Sequence, residues 1–152
     1  MPETSPAARV LARRVLRHEA GGRAEPAALA EAAERADARL RGRLASLIGP
    51  TGYTTLVARA MHLAQAEVPA LERVTVDALA PGAEGGLHGV REFAEFARAS
   101  GDAGAAEAGL SAILAHVIGL LVTFIGEDLA LRLIRDAWPE LPDGQRESEG
   151  RA

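Results

Sequence analysis

One histidine stands inside the most apolar stretch of the chain. His116 lies in AGLSAILAHVIGLLVTFIG, residues 108–126, which ends against Glu127-Asp128, with Arg132 and Arg135 one and two turns further on. If a helix break at Gly126 brings these side chains to one pocket, they supply an imidazole, two carboxylates and two guanidinium groups. That set can move a proton or clamp an anion. Each member also has a plainer role. A core histidine can bond a carbonyl, acids in a first turn complement the helix dipole, and Asp128–Arg132 is an i,i+4 ion pair.

A second grouping is His88, Glu92 and Glu95, spaced i, i+4 and i+7. On one helix face, an imidazole and two carboxylates at that spacing can hold a divalent cation. Arg91 and Arg98 lie alongside, as they would on a solvated face. The di-iron bundle pattern needs Glu-x-x-His on two helices. The residues three before His18, His62, His88 and His116 are Val15, Arg59, Gly85 and Ile113, so that pattern is absent.

Gly49-Pro50-Thr51-Gly52-Tyr53-Thr54-Thr55 resembles a phosphate loop only in composition, because it lacks the lysine and the spacing of one. The five serines fall in no nucleophile elbow. The chain has no cysteine, lysine or asparagine. This excludes thiol nucleophiles, Cys-ligated zinc, disulfides, Schiff-base lysines and N-glycosylation. No catalytic residue and no cofactor is assigned, and five aromatic residues in all argue against a haem pocket.

The elements that must position these residues are helices. Apolar residues make up 48% of the 152, much of it alanine, the best helix former and a poor strand former. The expected fold is an all-α, single-domain bundle of five to six helices around a central hydrophobic helix at about 105–125. The domain covers 1–141, and a polar, glycine-rich tail, 142–152, is expected to be disordered. No period is present that implies a solenoid.

In chain order, Ser5-Pro6 opens a first helix whose stripe is Ala8, Leu11, Ala12, Val15 and Leu16, and Gly21-Gly22 ends it. Glu25-Pro26 opens a second, with Leu40, Leu44, Leu47 and Ile48 facing inward and its early turns of alanine and charge forming a solvated or weakly packed face. After Gly49, Thr51 or Thr54 caps a third helix, buried over a broad arc from Tyr53 to Val68, which Pro69 stops. Residues 70–87 form the longest irregular connection and the expected mobile loop. A short helix over 87–99 turns Val90, Phe93, Ala94 and Ala97 inward. After the central helix, Asp128 caps a last one with Leu129, Leu133, Ile134 and Trp138 inward.

Residues 108–126 have the nominal length of a membrane span. His116, the three glycines and flanks without a positive-inside bias favour a buried helix in a soluble bundle instead. Net charge is −4. Residues 1–48 hold nine arginines against six acids, and the remainder eight against fifteen. That balance is too weak for a nucleic-acid footprint. No signal peptide is evident at the start of the sequence, so the expected location is cytoplasmic. The expected role is a binding, regulatory or oligomerisation module whose apolar surfaces pair with a second copy or another protein. The alternatives are a ligand-binding protein or enzyme using the polar cluster at Gly126, and a membrane-associated protein.

Overall fold

The computed structural model describes residues 5–76 and 87–141 and shows an all-α bundle. The first helix, α1 (Pro6–Glu19), starts as its sequence dictates. The Ser5 hydroxyl accepts the Ala8 N–H at 3.1 Å, and Pro6 occupies a first-turn position where its missing N–H costs nothing. Ala8, Ala12, Val15 and Leu16 are buried, with Leu11 partly so.

Two long helices, α2 (Pro26–Ile48) and α3 (Pro50–Glu67), follow and meet at Gly49. The chain then makes a 3-10 turn (Pro69–Arg73). A two-residue antiparallel ladder comes next, β1 (Thr75–Val76) with β2 (Leu87–His88), placing Thr75 opposite His88. After it come α4 (Val90–Ala99), α5 (Ala103–Ile125) and α6 (Glu127–Ala137). Residues 77–86, within the expected mobile connection, and 142–152, the expected tail, lie outside the described residues.

The second half repeats the plan of the first. Helices α2 and α5 are both 23 residues long. Each ends in a glycine at nearly the same unusual geometry: φ 81, ψ 157 at Gly49 and φ 88, ψ 157 at Gly126. Only glycine adopts that combination without strain, so each junction turns the chain sharply within one residue. Gly126 follows Gly49 by 77 positions, and the same offset carries buried residues onto buried residues. Leu40 maps onto Val117, Leu44 onto Leu121, Val57 onto Ile134, Ala60 onto Ala137 and Met61 onto Trp138. The halves also interlock, because α1 packs on α5 while α4 packs on α2.

Helix α5 is the centre expected from its composition. It touches each of the other five helices, and residues 110–118 are buried without interruption. It is long and apolar enough to cross a membrane, yet 61% of its most apolar window is buried against the bundle. At Gly109 the neighbours come so close that a Cβ would stand 2.4 Å from Phe93 Cζ.

Several local expectations are corrected. The alanine-rich start of α2 faces inward: Leu29, Ala30, Ala32, Ala33 and Ala36 are buried, since small side chains let α1 and α4 approach closely. Leu47, expected inside, is 52% exposed, and so is Leu129 at 39%, its inward place taken by Ala130. Neither Thr51, Thr54 nor Asp128 caps its helix. The caps are Gly49 and Gly126, and the Thr54 hydroxyl instead donates to the Pro50 carbonyl at 3.0 Å. Helix α4 begins at Val90 rather than 87, whereas its inward set of Val90, Phe93, Ala94 and Ala97 is as read.

Candidate functional site

The five residues proposed to share a pocket at Gly126 do not meet. His116 is buried and turns towards α3 and α1, with its Nε2 3.4 Å from Glu67 Oε1. Glu67 in turn receives both terminal nitrogens of Arg9, at 2.9 and 2.6 Å. One carboxylate at the end of α3 thus joins three helices, with an arginine outside and an imidazole inside.

Glu127, Asp128, Arg132 and Arg135 lie in the open on α6. None of their side chains forms a hydrogen bond or ion pair among the described residues, and the expected Asp128–Arg132 pair is not made. A groove of about 540 Å³ runs between the start of α1 and the end of α6, lined by Val10, Leu11, Leu131, Ile134 and Trp138. From the expected set it takes only Arg135. Gly126 breaks the helix as expected, but the break sends the α6 charges outward while His116 stays in the core.

The expected cation face also comes apart. His88 belongs to β2 and precedes Gly89, whose φ of 84 separates it from the helix bearing Glu92 and Glu95. Glu95 pairs with Arg98, whose guanidinium holds its carboxyl below the usual range, and Glu92 is exposed.

Two polar clusters carry more structure than any that sequence reading singled out. The first surrounds Glu19 at the end of α1, whose side chain is 6% exposed. Glu19 accepts the Trp138 indole N–H at 2.7 Å and pairs with Arg39 Nε at 3.0 Å and Arg35 Nε at 3.4 Å. Arg39 also lies over the Trp138 ring and donates to the Ala137 carbonyl at 2.8 Å, tying α2 to the end of α6. The second is Asp37, 4% exposed within α2. The Tyr53 hydroxyl donates to its Oδ1 at 2.7 Å, and Arg41 pairs with its other oxygen. Burial pushes the Asp37 carboxyl up, against the pull of these partners, and burial beside Asp37 pushes the Tyr53 phenol up as well. Asp37–Arg41 had a sequence signal in its i,i+4 spacing. Glu19–Trp138 had none, since its partners stand 119 residues apart.

Chemically these groups are engaged with one another. The Glu19 carboxylate ties α1 to α2 and α6, and the Asp37 carboxylate ties α2 to α3. The Arg9 hydrogen bond, its charge and the nearby His116 hold the Glu67 carboxyl below its ordinary 4.5, against partial burial. A carboxylate depressed by folding stabilises the fold above its unfolded value, and that contribution disappears as pH falls through the folded one. Glu67→Gln is therefore expected to cost stability at pH about 5.5, and to cost progressively less as pH drops below 4.5. Urea midpoints for both proteins across that window read this directly. A gap that stays constant would show that Glu67 does not titrate as its contacts require.

Comparison with known proteins gives no relative to lean on, for no family model, no curated protein and no solved structure matches the chain.

Proposed function

We propose that this chain is a helical protein-binding module whose docking surface is the outer face of α6 together with the α5–α6 corner. The observation that carries this reading is the state of α6. Glu127, Asp128, Arg132, Arg135 and Asp136 are all exposed and all unpaired among the described residues. Beside them stand Phe124, 73% exposed, and Leu129, 39% exposed. Large apolar residues rimmed by polar ones mark an interaction surface. Arg9, Arg17 and Arg91 close ion pairs from one helix to another, with Glu67, Glu107 and Glu34. On α6, Asp128, Arg132 and Arg135 share one face, and no ion pair joins them among the described residues.

Photo-crosslinking tests this reading. A benzophenone amino acid at position 124 of the full chain, irradiated in cells, is expected to give a protein adduct. The adduct should vanish when Arg132 and Arg135 are both changed to Glu. A probe on the exposed side of α3, at Arg59, should give none. No adduct at 124, or one indifferent to the arginines, would overturn the assignment.

A further inference from the structure

The docking reading leaves the partner open, and the order of charges along α6 narrows it. Resting on that reading, we infer that the partner is a second copy of this chain, bound through an antiparallel α6–α6 contact across a two-fold axis. The acids, Glu127 and Asp128, occupy the first turn, and the arginines at 132 and 135 follow one and two turns later. Asp128, Arg132 and Arg135 are spaced i, i+4 and i+7 and so lie along one line on the exposed face. A strip with acid at one end and base at the other is complementary to itself when reversed. Two-fold symmetry supplies that reversal, because the same patch serves both subunits and each contact occurs twice.

Laid antiparallel, Asp128 of each copy comes opposite Arg132 of the other. The antiparallel arrangement also sets the positive end of each helix dipole beside the negative end of the other. A different protein would need its own strip with matching order and spacing, whereas a second copy has it already.

Light scattering during size-exclusion chromatography tests the inference on the full chain. The expected mass is twice 15.8 kDa, falling towards that of one chain as dilution and salt weaken the exposed charge pairs. Two double variants sharpen the test: Arg132→Glu with Arg135→Glu, and Glu127→Arg with Asp128→Arg. Each alone should weaken self-association by at least about tenfold, since like charges then face each other. Mixed in equal amounts, they should form a heterodimer, because every facing pair is again opposite in sign. All altered positions are exposed, and circular dichroism confirms that each variant folds.

A single-chain mass at every concentration, a dimer untouched by either double variant, or a mixture that fails to recover would each overturn self-pairing. The benzophenone adduct separates this failure from that of the docking reading. An adduct containing only this chain supports the inference. An adduct with a different protein removes self-pairing and leaves docking in place, and no adduct removes both.

Discussion

Glu19→Ala is expected to lower the free energy of unfolding by about 2–4 kcal/mol. The variant strips the partner from the Trp138 indole N–H, and Trp138 is only 1% exposed. An orphaned buried donor costs about 1–3 kcal/mol on its own. Arg39 and Arg35 lose their carboxylate too, but both are close to half exposed and can turn to water. This keeps the total below the upper end for a wholly buried pair. Glu19→Gln retains an acceptor for the indole and is expected to cost about half as much. Urea unfolding followed by circular dichroism gives both values. An alanine variant within about 1 kcal/mol of the parent would mean that Trp138 is held by packing alone.

Gly89→Ala is expected to cost about 3 kcal/mol, for two reasons that add. The residue sits at φ 84, where an L side chain is strained, and an added Cβ would stand 2.2 Å from the Arg73 carbonyl oxygen. That neighbour is backbone and cannot swing aside, so the ladder or the start of α4 must move. For a chain of this size the melting temperature should fall by roughly 6–12 °C. Gly101→Ala provides the comparison, since Gly101 has φ 77 with nothing within 4 Å of its would-be Cβ. It bears the backbone strain without the collision and should lose only about 1 kcal/mol. Equal losses at the two positions would show that the collision relaxes freely.

What could be read from sequence was whatever depends on near neighbours. Ser5-Pro6 opens a helix, Pro69 stops one and Gly126 breaks one because caps and backbone limits act within a few residues. The inward set of α4 was legible for the same reason: a wheel of ten residues has few ways to face. The alanine face of α2 was not, since alanine is indifferent to burial until a partner approaches, and α1 and α4 are what bury Ala30, Ala33 and Ala36. Leu129 misled because α6 turns Ala130 inward instead.

The candidate site divides along the same line. Its five residues were read as polar groups sharing a helix break, but which way each points is a tertiary fact. His116 found Glu67, 49 residues back, and the α6 charges found solvent. His88 dropped out of its expected helix face because Gly89 packs on the backbone of Arg73 and Val74, a contact with no local signal. The repeated plan was hidden as well. It is written in burial and in the two glycine junctions, while the side chains that fill the matching places differ in kind, as Met61 and Trp138 do.

The crossing of the halves sets an order of events for the chain as it is made. The first helix buries its face against α5, whose last residue emerges more than a hundred positions later. Until then Ala12, Val15 and Leu16 have no α5 surface to cover them, and α2 waits in the same way for α4. Neither half is a finished unit that the other merely decorates. Folding must close long loops before its best contacts form, which slows it and keeps apolar helix faces open during synthesis. A chain halted before Ala103 carries four of the six helices and lacks the one that all the others touch.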